Sequence, residues 1–320
     1  MRSRQLDLTI YDTDKVGHHY LEIYAPILAP WVDKEIKLLE VGIHKGGSLQ
    51  LWRDYFPQGN IVGIDLRLPE KFVPGDRIQV FEGSQSDERF LSEVANRTAP
   101  EGFDIIIDDA SHIGELTRRT FLHLFDRHLK PGGLYAIEDW CTGYWDDFPD
   151  GKALNLRNLL GSQNPVATST ALAENIKVPV PCHSYGMVGF VKELIDEQGA
   201  ASITRNYPAA EHRASKFESV HVTPFIVFVS KVAPILTASP NPVPPGDTKG
   251  RTTISWNALG ESAGKVYVSV NGGEESLFAV GRQGSSDANW IDGRLNYEFR
   301  LYNSDHTKLL NKVLVARATL

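Results

Sequence analysis

The sequence predicts two folds in series: an α/β domain on a doubly wound, Rossmann-like parallel sheet over residues 1–232, then an all-β, immunoglobulin-like sandwich over 233–320. Three observations predict it. Up to Lys231, short apolar runs alternate with helix-period segments, the rhythm of βαβ units. Within that stretch a strand runs into a glycine-containing turn that opens a helix, and a second strand ends in an acid about twenty residues later. Beyond a Pro-rich segment, Ala238 to Pro245, the pattern changes to period-2 runs separated by turn residues. A chain of 320 residues is also longer than one core usually supports.

Composition narrows the function classes. Hydrophobic residues make up 42% and charged residues 23%, ordinary globular usage, so disorder is not expected. The formal net charge of −7, with no Lys/Arg-rich run, argues against a phosphate backbone as partner. Cys141 and Cys182 are too few for a disulfide framework, and no apolar leader or bilayer-length stretch is evident. A cytoplasmic protein with a small-molecule or glycan acceptor is expected, and a homo-oligomer is allowed.

In order along the chain, Lys37 to Val41, Asn60 to Ile64, Arg77 to Phe81, Phe103 to Ile107 and Gly133 to Ile137 read as strands. Being apolar on both faces, they suit the middle of a parallel sheet. Gly47 to Phe56, Asp87 to Asn96 and Glu115 to Leu129 read as the intervening helices, long enough for parallel crossovers. In the second domain Thr252 to Trp256, Lys265 to Val270 and Tyr297 to Tyr302 alternate as half-buried strands do. Asn271-Gly272 marks a hairpin, because a type I′ turn needs positive φ at both central residues.

The first strand and its turn, Leu38 to Ser48, define a cofactor site. Gly42 lets the backbone pass close to a ligand, and Asp65 closes the second strand where an acid reaches ribose hydroxyls. A dinucleotide site favours Gly-x-Gly-x-x-Gly, whereas this turn reads Gly42-Ile43-His44 and is preceded by Glu40. That acidic, glycine-poor turn suits the cationic methionine portion of S-adenosylmethionine better than a diphosphate. Ser48 opens the helix, and Ser84 and Gln85 follow the third strand on the adenine side.

Asp108 and Asp109 end the fourth strand, with His112 three residues on, and Glu138 and Asp139 end the fifth. Ligands of open α/β sheets bind outside the carboxyl ends of strands, so these residues converge where chemistry is expected. Clustered acids repel unless a cation compensates, and Mg²⁺ suits two or three carboxylates with water and substrate oxygens. Asp109, Glu138 and Asp139 are the expected ligands; Asp108 is assigned to the methionine side or to orienting the loop. An aliphatic hydroxyl is a poor nucleophile, and imidazole with a pKa of about 6.5 is too weak a base for it alone. A cation that lowers the pKa of bound water from about 15.7 to about 7 brings a coordinated hydroxyl within reach of His112 as general base.

These motifs have a familiar combination: Asp14-Lys15 with His18 and Tyr20, Leu39-Glu40-Val41-Gly42, Gly83 to Asp87, Ile107 to His112, Pro131-Gly132-Gly133 and Ile137 to Trp140. The first domain resembles the class I, metal-dependent macrolide sugar O-methyltransferases, the mycinamicin 2″-O-methyltransferase family, over about Asp14 to Lys231. The resemblance implies Mg²⁺ at Asp109, Glu138 and Asp139, with His112 as base. Asp109-Ala110-Ser111-His112 stands where the family has Asp-Gly-Ser-His, and the family's large N-terminal auxiliary domain has no counterpart before Asp14, which argues against a macrolide acceptor. The expected function is methyl transfer to a hydroxyl of a sugar or glycosylated metabolite. The alternatives are a catechol acceptor, a carbohydrate-binding protein with an inactive methyltransferase domain, and, disfavoured by the turn, a nicotinamide-dependent oxidoreductase.

Overall fold

The computed structural model describes residues 2–154, 182–205, 211–246, 249–259 and 262–318. It divides into two compact units, Met1–Lys231 and Val232–Leu320.

The first unit is a seven-stranded sheet in the order β3-β2-β1-β4-β5-β7-β6. Strands β1 (Lys37–Val41), β2 (Asn60–Asp65), β3 (Ile78–Glu82), β4 (Phe103–Asp108) and β5 (Leu129–Ile137) are parallel, whereas β7 (Val227–Lys231) runs antiparallel to both β5 and β6 (Phe217–Val222). The crossovers are α3 (Gly47–Tyr55), α4 (Glu88–Thr98) and α5 (Gly114–Arg127); before the sheet come α1 (Asp14–Gly17) and α2 (Tyr20–Leu28). After β5 come α6 (Pro149–Leu154), α7 (Gly186–Gln198) and α8 (Ala200–Arg205).

Alternation along the central strands sorts their side chains into two cores. Leu39, Val41, Val62 and Ile106 join Leu91 and Val94 of α4 and Phe121 and Phe125 of α5. Leu38, Ile61, Ile105 and Ile107 join Tyr24 and Leu28 of α2 and Leu51 and Trp52 of α3 on the opposite face. The helices are specified locally. Asp87 caps α4 by accepting from the N–H groups of Arg89 and Phe90, and Leu91, Val94, Ala95 and Thr98 recur at helical spacing on its buried side. The consequence for function is topological: Asp65 closes β2, and Gly42, Gly83, Asp109 and Glu138 directly follow β1, β3, β4 and β5, all at the carboxyl ends of the parallel strands.

Among the described residues the second unit comprises β8 (Ile235–Ser239), β9 (Gly250–Asn257), β10 (Gly264–Val270), β11 (Glu275–Gly281), β12 (Gln283–Ile291), β13 (Tyr297–Tyr302) and β14 (Leu309–Val315), in a four-stranded sheet, β11-β10-β13-β14, and a three-stranded sheet, β12-β9-β8. Ile254 and Trp256 of β9 share one core with Val266 and Val268 of β10 and Phe299 and Leu301 of β13, so the two sheets face each other as a sandwich. Asn271 and Gly272 have φ values of 50° and 74°, and Gly273 N–H returns to the Val270 carbonyl at 2.9 Å, the closure expected of the hairpin turn.

Candidate active site

The glycine turn after β1 is fixed by its neighbours. Gly42 has φ +99°, and a Cβ there would lie 2.0 Å from the carbonyl oxygen of Asp109. Its N–H donates to Ile64 O at 2.8 Å, and Asp109 N–H donates to Val41 O at 2.8 Å, which laces the ends of β1, β2 and β4 together. A glycine is therefore required twice over, by backbone conformation and by close approach. Gly42→Ala is expected to destabilise the unit by at least about 1–3 kcal/mol and to shift Asp109; an unchanged melting temperature with unchanged cofactor affinity would contradict this.

Two cavities open beside the turn, with Gly42, His44 and Asp109 in the walls of both. The first, about 470 Å³, is lined by Asp65, Gly83, Ser84, Gln85 and Ala110 as well; the second, about 330 Å³, by Asp12, Thr13, Lys45 and Ser48. Asp65 also shapes the turn, its Oδ2 accepting from Ile43 N–H at 2.7 Å and His44 N–H at 3.2 Å. Gln85 is held at both ends of its amide, donating to Thr120 Oγ1 at 3.1 Å and accepting from Ser111 N–H at 3.2 Å.

Two expected cofactor residues lie behind the cavities instead. Glu40 is fully buried, accepting from Ser48 Oγ at 2.7 Å and Trp52 Nε1 at 3.2 Å, so it anchors α3 beneath the turn. Asp108 is buried on the α4–α5 side of the sheet, where Tyr135 Oη donates to it at 3.0 Å; burial pushes its carboxyl up to about 7, against the lowering effect of that hydrogen bond. Strand alternation is the reason: Asp108 shares a face with Ile106, and Asp109, one residue on, turns to the other.

Ligand atoms of Asp109, His112 and Asp139 all fall within 4.8 Å of one another. His112 Nε2 lies 3.8 Å from Asp109 Oδ1 and 3.8 Å from Asp139 Oδ2. His44, His112 and Asp139 carry positive φ values of 48°, 51° and 55°. Non-glycine residues rarely adopt this conformation, and such strain gathers at functional sites. Glu138 is 1% exposed and its oxygens accept from Lys15 Nζ at 2.8 Å and Tyr24 Oη at 2.6 Å.

From the sequence Lys15 is marked only by its place in a motif. Its side chain is fully buried, with Nζ 2.5 Å from Asp109 Oδ2, 2.8 Å from Glu138 Oε2 and 3.5 Å from Glu40 Oε1. Burial alone would push the ammonium down, but Asp109, Glu138 and Glu40 together hold it well above the ordinary lysine value. Burial also raises Glu40, Glu138 and Asp139, with Lys15 offsetting only part of the effect. The acids thus exceed the one buried ammonium, and an oxygen donor set with surplus negative charge in a desolvated pocket fits a hard divalent cation.

Among the aromatic residues that follow β5, Trp140 is tied by Nε1 to Thr223 O at 2.9 Å, and Tyr144 packs edge-on against His183 at 4.6 Å. Trp145 is 44% exposed and packs edge-on against Phe148, which packs edge-on against His112. An aromatic ladder therefore leads outward from the histidine.

No family model matches the chain. Among curated relatives, mycinamicin VI 2''-O-methyltransferase of Micromonospora griseorubida is 40% identical over 147 residues, 43% of this chain and 36% of that protein. The 8-demethyl-8-alpha-L-rhamnosyl tetracenomycin-C 2'-O-methyltransferase of Streptomyces olivaceus is 30% identical over 236 residues, 70% of this chain and 53% of that protein. This chain thus spans about half of those relatives' length or less. A solved structure of the MycE methyltransferase of the mycinamycin biosynthetic pathway, in complex with Mg and SAH, is 30% identical, covers 66% of this chain and 49% of its own, and superposes with a TM-score of 0.49. Among the described residues no helix is long and apolar enough to cross a membrane. By its sheet order and its glycine turn the first unit has the class I methyltransferase fold, and in sequence it is related to the macrolide sugar O-methyltransferases.

Proposed function

We propose that the first unit transfers a methyl group from S-adenosylmethionine to a hydroxyl of a sugar on a glycosylated metabolite, in a Mg²⁺-dependent reaction, inside the cytoplasm. One observation carries the reading: the donor atoms of Asp109, His112 and Asp139 meet at the ends of β4 and β5, beside cavities that share Asp109 with the glycine turn. The two relatives support the acceptor class. Their names specify different aglycones, a mycinamicin and a tetracenomycin, and the latter names a rhamnosyl group. The same reading assigns the C-terminal unit, an immunoglobulin-like sandwich, to glycan binding or assembly.

On this reading we assign the following residue roles. Gly42, Asp65, Ser84 and Gln85 hold the nucleoside half of the cofactor; Ser48 opens α3 beside the methionine half. Glu40 and Asp108 support these loops from behind. Asp109, Glu138 and Asp139 would hold the ion; each carboxylate has about four lone-pair sites, so the hydrogen bonds to Glu138 leave it able to ligate. A bound divalent ion supplies Lewis acidity that lowers the pKa of an acceptor hydroxyl. His112 would accept that proton at Nε2, which lies 3.8 Å from Asp109 Oδ1 and 3.8 Å from Asp139 Oδ2. Trp145 and Phe148 offer an apolar wall to the sugar. Rate acceleration beyond proton transfer comes from holding oxygen, methyl carbon and sulfur in line.

The test is an acceptor comparison at saturating S-adenosylmethionine and Mg²⁺, with rhamnosylated polyketides in one arm and catechols in the other. Methylation of the sugars, abolished by chelation, is expected. Turnover of catechols alone would replace the sugar assignment, and NADH binding without S-adenosylmethionine binding would overturn the transferase reading.

A further inference from the structure

We propose that the N-terminal segment from Lys15 to Tyr24 is the positioning shell of the metal centre, a role that rests on the metal reading above. Each proposed ligand carboxylate accepts a hydrogen bond from this segment. Lys15 Nζ donates to Asp109 Oδ2 at 2.5 Å and to Glu138 Oε2 at 2.8 Å, Tyr24 Oη donates to Glu138 Oε1 at 2.6 Å, and Tyr20 Oη donates to Asp139 Oδ1.

The pattern of engaged and free oxygens carries the inference. In both aspartates one oxygen is anchored by the segment and the other faces His112: Asp109 Oδ1 and Asp139 Oδ2 each lie 3.8 Å from His112 Nε2. A carboxylate held at one oxygen has lost rotation about its terminal bond and presents the remaining oxygen in a fixed direction. Hydrogen-bonded partners behind ligands orient them in this way, and their removal costs about 10–100-fold in metal affinity or activity. Tyr20 and Tyr24 are four residues apart on α2 and so project from one helix face toward Glu138 and Asp139, which are adjacent in the chain. The rings are held independently of their hydroxyls. Tyr20 stacks on Phe225 at 5.7 Å, and Tyr24 meets Trp52 and Phe228 edge-on at 5.2 and 5.3 Å. Removing a hydroxyl therefore deletes the anchor and leaves the packing.

The experiment measures Mg²⁺ affinity calorimetrically in the presence of S-adenosylmethionine for the full chain, Tyr20→Phe and Tyr24→Phe, with metal-free melting curves alongside. Each variant is expected to raise the Mg²⁺ dissociation constant by about 10–100-fold, with the metal-free melting temperature and cofactor affinity of the unmodified protein. The apparent KM for Mg²⁺ should rise while kcat recovers at saturating metal. Combining Tyr20→Phe with Asp139→Asn should add little to Asp139→Asn alone, because the hydroxyl acts through that carboxylate. Unchanged Mg²⁺ affinity in both tyrosine variants would overturn the positioning role, as would losses that track a lowered metal-free melting temperature. An unmodified chain that binds no Mg²⁺ would overturn the metal centre itself, and the shell with it.

Discussion

Asp109→Asn is expected to lower metal-dependent methyl transfer by about 10²–10³-fold, the effect of losing a few kcal/mol of transition-state stabilisation at about 1.4 kcal/mol per decade. Asp109 is the residue on which the site converges. Its side chain is shared by the Lys15 ammonium and the His112 group, its N–H is bonded to Val41 O, and its carbonyl packs against Gly42. Asparagine keeps the shape and an oxygen for Lys15 but removes the charge that the ion requires. Lys15 retains Glu138 and Glu40, so its ammonium is not stranded. The measurement is initial rate against Mg²⁺ concentration, with circular dichroism to show that the fold is kept. Full activity in a folded variant would remove Asp109 from the ligand set.

His112→Ala is expected to lower kcat by about 10²–10⁴-fold, the usual worth of a positioned general base. Because His112 lies within ligand distance of the same point as Asp109 and Asp139, its role needs separating from coordination. A base and a ligand differ in what their loss does to metal binding. Mg²⁺ and S-adenosylmethionine are expected to bind His112→Ala with nearly unmodified affinity while turnover collapses, and added imidazole is expected to restore part of the rate. A Mg²⁺ affinity that falls in step with kcat would make His112 a ligand instead.

Much of the fold was legible because the central strands are apolar on both faces and their turns carry glycine. The β6–β7 hairpin lacks such a signal. Phe217-Glu218-Ser219-Val220-His221-Val222 is an edge strand with polar outward positions, and it lacks the continuous apolar run that marks β1, β2 and β4. At the site, the acids at the ends of β4 and β5 were legible from strand position alone. Which face each acid takes was not, since one residue of phase sends Asp108 toward Tyr135 and Asp109 toward Lys15. Its place beside the turn marks Glu40 as a cofactor contact; only packing shows Ser48 and Trp52 closing over it. Lys15 and Tyr24 could not be placed from local pattern, as they act 94 and 114 positions away along the chain. A lysine and two tyrosines at i, i+5 and i+9 ahead of the first strand were the available signal.

The most direct test of the central claim is a calorimetric titration of the metal-stripped protein with S-adenosylmethionine, repeated with Mg²⁺ present. Saturable cofactor binding at one site per chain is expected, followed by Mg²⁺ binding to the complex that Asp109→Asn abolishes. Absence of cofactor binding in both conditions would contradict it and leave a methyltransferase fold without the activity, with glycan binding by the sandwich as the function to pursue.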